Sequence, residues 1–339
     1  MINYAVIGTS WITETFIASA MENGKMRLAG VYSRSEEKAA AFAKKQKAAA
    51  LGGEIKLYTE LEALAADPEI QAVYIASPNS FHERQSRQML EAGKHVICEK
   101  PIGIHPEVVR ELDVLARAKG VVYMEAIMMV HLHEQVAALK EAVAKIGKVY
   151  TACIDFSQLS SKYQAYLDGK KPNIFNPAFA TGALEDLGIY CIHFALELFG
   201  SPKETRIHAQ FLESGADALG EVLFIYPDKD VTLTYSKVGQ NRLGSQIMGD
   251  NGTVTVESIS QVTGIVLHEK DGTKHAVWGQ EEKNHLMGGE AADFARYILD
   301  FEATKAEREA AFERSFEVCE LLADLREKAG IRFIEDAAK

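Results

Sequence analysis

The chain has 339 residues, 47% hydrophobic and 25% charged, a balance that excludes disorder and fibrous repeats and suits two domains of ordinary size. Its 37 Lys and Arg against 48 Asp and Glu give a formal net charge of -11. A nucleic-acid or acidic-membrane partner would need a local basic patch, and the densest clusters, Lys44-Lys45-Gln46-Lys47 and Lys170-Lys171, are too short to form one.

Met1 to Ile7 reads as a strand rather than a basic, cleavable leader. No apolar run approaches the ~18–20 residues of a membrane span, so a cytoplasmic protein is expected. Short β-branched runs then alternate with helical patterns. Strands are expected at Asn3–Gly8, Arg27–Ser33, Lys56–Tyr58, Ala72–Ser77, His95–Cys98 and Val121–Met124. Helices are expected at Trp11–Glu22, Ser35–Lys47, Thr59–Ala66, Ser80–Ala92 and Pro106–Lys119. Thr59 with Glu62 has the form of a capping box, Pro106 suits a first helical turn, and Gly93 and Gly120 fall where helices stop. The strands are apolar throughout, as when helices cover both faces of a parallel sheet, which predicts a doubly wound α/β domain over residues 1–123.

Residues 124–339 change rhythm. A helix at Glu134–Lys145 precedes a strand at Val149–Ser157, a polar connection with Pro172 and Pro177, and an apolar helix from Ala183 to Phe199. From Thr205 to His268 several strands are broken by hairpin-like turns at Pro227–Asp230, Val238–Asn241 and Gly249–Gly252. Two helices, near Gly289–Asp300 and Ala306–Ala329, close an α+β domain built on a mostly antiparallel open sheet. Too few helices accompany that sheet to cover its outer face, so a homodimer or dimer of dimers through it is expected. Cys98, Cys153, Cys191 and Cys319 are far apart in apolar stretches and read as buried hydrophobes, with no spacing for a metal site or disulfide framework.

Three places carry chemistry. Gly8-Thr9-Ser10-Trp11-Ile12 lies between the first strand and first helix, where a dinucleotide fold cradles phosphate. Only the first glycine of G-x-G-x-x-G is present, so an ordinary strand–helix turn fits as well. The second strand ends in Ser33-Arg34 rather than an acid, a hydroxyl and a guanidinium suited to a 2′-phosphate, or else a solvated helix start. That favours NADP(H) over NAD(H).

At the carboxyl ends of the fourth and fifth strands stand Ser77-Pro78-Asn79 with His82, and Glu99-Lys100-Pro101. Charge leaving an apolar strand points to a ligand site, and proline there can set a turn that aims the lysine; a surface ion pair is the plain alternative. In the apolar helix, Asp186, Tyr190, His193 and Glu197 recur at i, i+4, i+7 and i+11. They form either one wall of a wet cleft or a satisfied ladder in a core. Gly188 suggests that another backbone packs close.

Taken in order, Gly8, Ser77-Pro78-Asn79 with His82, Glu99-Lys100-Pro101, and Gly182-x-x-x-Asp186-x-Gly188-x-Tyr190 resemble the Gfo/Idh/MocA oxidoreductases over roughly residues 2–335. The helix is most similar to those of dimeric dihydrodiol dehydrogenases and glucose–fructose oxidoreductase, since inositol dehydrogenases often carry His where Tyr190 stands. The resemblance implies a Rossmann domain followed by an α/β domain with a large open sheet. It also implies Lys100 as catalytic lysine, Pro101 as the residue that turns it, Glu99 at the cofactor, and Asp186 as substrate-binding or relay aspartate. Tyr190 is then the general acid/base, its phenolate stabilised by Lys100, with Asp186 holding Lys100 or a substrate hydroxyl. Lys162, Asn176 and His193 are candidate hydroxyl contacts on a sugar, polyol or diol. His131 and His133 line the pocket or merely start a helix. The degenerate loop leaves a non-catalytic nucleotide-sensing regulator, or a subunit that scaffolds a partner, as competing readings. Retention of Lys100, Asp186 and Tyr190 speaks against the sensor, and NADPH titration separates the scaffolding subunit from the other two readings.

Overall fold

The computed structural model describes residues 1–281 and 283–333. In chain order the first elements are β1 (Ile2–Ile7), α1 (Trp11–Glu22), β2 (Met26–Tyr32), α2 (Glu36–Lys45), β3 (Lys56–Tyr58) and α3 (Leu61–Ala66). They continue with β4 (Ala72–Ile75), α4 (His82–Glu91), β5 (His95–Glu99), α5 (Pro106–Lys119) and β6 (Tyr123–Ala126). The six strands form a parallel sheet in the order β3-β2-β1-β4-β5-β6, the doubly wound arrangement. Order reverses between β1 and β4, and that is where such sheets bind ligands. Val6, Val31, Val73, Tyr74, Val96 and Ile97 are wholly buried, which is why these strands read as continuous apolar runs.

Ser35 caps α2 by accepting from Lys38 N, and Pro106 occupies the first turn of α5. The capping box at Thr59 does not form: Glu60 holds the cap position of α3 without a side-chain bond. The Ser80–Ala92 helix starts as a 3-10 turn at Asn79–Phe81 before α4 takes over.

The later elements are α6 (His133–Lys145), β7 (Val149–Ser157), α7 (Tyr163–Leu167), α8 (Ile189–Phe199), β8 (Glu204–Phe211), β9 (Asp217–Ile225) and β10 (Asp230–Ser236). After them come β11 (Ser245–Gly249), β12 (Gly252–Ser258), β13 (Thr263–Glu269), β14 (Lys274–Trp278), α9 (Lys283–Leu299) and α10 (Lys305–Ala329). Eight strands make a sheet ordered β14-β13-β12-β11-β7-β10-β9-β8, antiparallel except where β7 and β10 run parallel. The expected hairpin at Val238–Asn241 is corrected by this order. β7 lies between β10 and β11, and the connection from residue 237 to 244 is long enough to step over it. β14, which the sequence reading lacked, is an edge strand with three exposed residues, so it shows no buried alternation.

The chain divides into two compact units, Met1–Ile127 with Lys283–Cys319, and Met128–Glu282 with Glu320–Lys339. Helix α9 therefore packs on α1 in the first unit, although its sequence follows the second sheet. Among the cysteines, Cys98, Cys191 and Cys319 are buried but Cys153 is exposed on the sheet, against expectation. Among the described residues no helix is long and apolar enough to cross a membrane.

Candidate active site

In the first unit the β1–α1 turn is built on Gly8. Its φ is +114°, and a Cβ there would lie 2.5 Å from the Ala76 carbonyl at the end of β4. Any other residue would push these two strand ends apart at the point where the sheet reverses order. Ser10 precedes α1 without a side-chain cap, its hydroxyl 3.4 Å from that of Thr13. The first-turn N–H groups thus open a helix N-terminus with glycine-permitted close approach, which fits the pyrophosphate of a dinucleotide. Trp11, 63% exposed, stands at the head of the helix.

At the end of β2 the Ser33 hydroxyl accepts from Ser35 N, and Arg34 is exposed. Burial raises the Tyr32 phenol pKa, and the charges of Arg34 and Arg84 oppose that rise. Two guanidiniums therefore act on one position, and Arg84, on α4, is a cation the sequence reading missed. Its spacing from Arg34 gives no local signal, because α4 belongs to a different β–α unit.

The Glu99-Lys100-Pro101 turn is over-determined by its neighbours. The Lys100–Pro101 peptide bond is cis. The Tyr74 hydroxyl donates to Glu99 Oε1 at 2.5 Å. Burial, and then the charges of Glu99 and Glu290, push that phenol far above its ordinary pKa, so it remains the donor. The residues after Pro101 are tied down by carboxylates. Ile102 N donates to Glu125 Oε1 at 2.9 Å, and Ile104 N and His105 N both donate to Glu83 Oε1 at 2.7 Å. Burial opposes ionisation of Glu83, but the bonds from His105 and the backbone outweigh it and hold its pKa below the usual range.

His82, expected at the cofactor, has a different place. It is buried, with Nδ1 2.8 Å from the Pro101 carbonyl and Nε2 2.9 Å from that of Ser77. Burial lowers its pKa in spite of both carbonyls, and a neutral ring donates to only one of them. His82 braces the Ser77-Pro78-Asn79 turn against the lysine turn, while the Ser77 hydroxyl bonds Gln85 Oε1 at 2.6 Å.

In the second unit the helix expected from Ala183 begins as a π-turn, Leu184–Gly188, before α8. Such turns shift the register of the side chains that follow and are frequent at functional sites. Asp217 holds its start, accepting from Leu184 N at 2.7 Å, and its carboxylate occupies the space a Cβ on Gly182 would need. Burial, aided by the charge of Glu185, raises the Asp217 pKa to about 6 against the hydrogen bond and Lys237. Gly188 makes room for the ring of Tyr235 and for Leu184, so a side chain rather than another backbone packs there.

The four-residue stripe is not one wall. Asp186 and Tyr190 are partly exposed, and the Tyr190 ring meets Phe156 edge-on at 5.3 Å. His193 is wholly buried, out of direct reach of a small solute, and Glu197 pairs with Lys140. Glu185, also buried, pairs with Arg326. Asp186 Oδ2 lies 2.7 Å from Nζ of Lys237, a residue absent from the sequence reading. Asn176 spends its side-chain carbonyl on Ala178 N at 3.1 Å, and Thr181 Oγ1 lies 2.8 Å from the Asn173 carbonyl, which orders the loop before the helix. Lys162 is exposed at the start of α7. His131 is buried, and His133 is exposed as the first residue of α6.

Comparison with known proteins follows the same division. Residues 2–127 match an oxidoreductase family model with an NAD-binding Rossmann fold, and residues 136–255 match the GFO/IDH/MocA C-terminal domain. The chain is 38% identical to the uncharacterized oxidoreductase YgjR of Escherichia coli over 100% of both chains. It is 35% identical to scyllo-inositol 2-dehydrogenase (NADP(+)) IolU of Bacillus subtilis, again over 100% of both. KijD10, a 3-ketoreductase from Actinomadura kijaniata solved with NADP and TDP-benzene, superposes with a TM-score of 0.81 at 22% identity, over 97% of this chain and 98% of that one. The chain belongs to the Gfo/Idh/MocA family of oxidoreductases.

Proposed function

We propose that this NAD(P)-dependent dehydrogenase oxidises a ring hydroxyl of a neutral cyclic polyol of the inositol class, or reduces the matching ketone, with NADP(H) as preferred cofactor. The observation that carries the reading is full-length identity of 35% to an NADP-dependent scyllo-inositol 2-dehydrogenase. The Gly8 turn and the N-terminus of α1 fit a pyrophosphate, and Ser33, Arg34 and Arg84 fit a 2′-phosphate. Thr9, Ser10, Trp11 and Ile12 would line the phosphates, and Ser77, Pro78, Asn79 and Glu99 the nicotinamide half, with His82 bracing them.

Bound nicotinamide supplies the hydride acceptor. The Tyr190 phenolate takes the proton of the substrate hydroxyl as the carbinol hydrogen leaves with its electron pair, and gives a proton back in the reverse direction. A phenol titrates near ~10 in water, so it needs a positive charge close by to act as base at neutral pH. Asp186, anchored by Lys237, accepts from a second substrate hydroxyl. A homodimer through the face of the large sheet that carries Cys153, Glu221, Thr232 and His208, all exposed, completes the proposal. A light-scattering mass of one chain at micromolar concentration would refute that part.

The function is tested by following NADPH absorbance over a panel of inositols, aldoses and diols with either cofactor. Turnover of an inositol with NADP+ supports it. NADPH binding without turnover of any panel member would instead favour a sensor.

A further inference from the structure

Lys237 is an unusual residue to find inside the second unit. It follows the last residue of β10, and its backbone is fixed on both sides: its N–H donates to the Ala218 carbonyl at 2.9 Å, and its carbonyl accepts from Ser160 N at 2.9 Å. The side chain is only 2% exposed, its ammonium 2.7 Å from Asp186 Oδ2 and 5.7 Å from the centroid of the Phe175 ring. An ammonium is taken out of water at high cost, and is kept there only against a well-placed partner. Asp186 is the reverse case: its side chain is 31% exposed, so the pair has one end in the protein and one end facing outward.

We infer that Lys237 is a positioning residue for substrate recognition. It fixes one oxygen of Asp186 and keeps the carboxylate correctly turned, so that Asp186 can accept from a substrate hydroxyl. The inference rests on the reading of Asp186 as a substrate contact. It also narrows the substrate class. The neighbouring carboxylates of the same helix, Glu185 and Glu197, are matched by Arg326 and Lys140, and Lys237 is consumed by Asp186. The three cations that face this helix are therefore engaged by its own carboxylates, which favours a substrate group that donates a hydrogen bond to Asp186 over a phosphate or carboxylate.

The test measures kcat and KM for scyllo-inositol, and the Kd of NADPH by fluorescence, in the unmutated enzyme, Lys237→Met, Asp186→Asn and the double variant. Each single substitution should raise KM about 10–100-fold, the worth of one hydrogen bond to a charged group, and leave NADPH affinity within about two-fold. The double variant should be no more than about three-fold worse than Asp186→Asn, because Lys237 acts only through Asp186. A purely structural lysine would lower thermal stability and leave KM unmoved. Unchanged KM in Lys237→Met, or multiplicative losses in the double variant, overturns the inference. Should Lys237→Met fail to fold, the comparison of Asp186→Asn with the double variant, which buries no unpaired charge, decides it alone. If the unmutated enzyme turned over no polyol, the functional reading would fall and take this inference with it; an active enzyme indifferent to Lys237→Met would sink the inference alone.

Discussion

Asp217 anchors the start of the helix that carries Asp186 and Tyr190, and it does so at a cost that depends on pH. Its carboxyl titrates at about 6 instead of its ordinary 3.8, chiefly because burial disfavours the charge. An acid raised in the folded state is protonated there while already ionised in the unfolded chain. Its contribution to stability is therefore complete below the unfolded pKa and is lost as pH rises through about 6. The full loss is about 3 kcal/mol, and about 2 kcal/mol of it falls between pH 4.5 and 7.5. Asp217→Asn keeps an oxygen to accept from Leu184 N but removes the titration. Urea unfolding of both proteins across that range should show the variant gaining on the parent by about 2 kcal/mol as pH rises, with polyol turnover retained. A stability difference constant to within about 0.5 kcal/mol would refute the account of Asp217.

Three further substitutions address the site. Tyr190→Phe removes the proposed acid/base and should lower kcat about 10²–10⁴-fold without altering NADPH affinity, read by steady-state rates and fluorescence titration. Arg34→Glu should raise the KM for NADP+ about 10–100-fold and leave that for NAD+ nearly unchanged, measured with both cofactors at a saturating polyol. Gly8→Ala combines a left-handed φ with a backbone overlap at Ala76 and should destabilise by about 2–4 kcal/mol in denaturant and weaken NADPH binding.

Much of the first unit is legible in the sequence because local chemistry sets its boundaries. α1 and α5 begin and end where their apolar spacing and Pro106 place them, and β3 and β7 also fall on their expected residues. What escaped reading depends on contacts far along the chain. The π-turn at Leu184–Gly188 uses the same residue types as an α-helix, and its register is set by Asp217 more than thirty residues on. Lys237 follows a serine at a strand end and looks like an ordinary solvated turn residue; only the fold brings it against Asp186. β7 stands between β10 and β11 although it precedes both, which no local turn signal shows. His82 stands out as a motif residue, but that it braces two carbonyls is set by the Pro101 carbonyl, nineteen residues on, and the Ser77 carbonyl, which the fold brings to its two ring nitrogens. Likewise α9 is correctly a helix, and its membership of the first unit depends on packing against α1.

The most direct measurement follows the hydrogen itself. Incubating the protein with NADP+ and scyllo-inositol deuterated at every ring carbon, and weighing the reduced cofactor by mass spectrometry, should give NADPH heavier by one deuterium and formed more slowly than from unlabelled polyol. Reduced cofactor without the label, or no reduced cofactor from any polyol tried, would contradict hydride transfer from a ring carbinol.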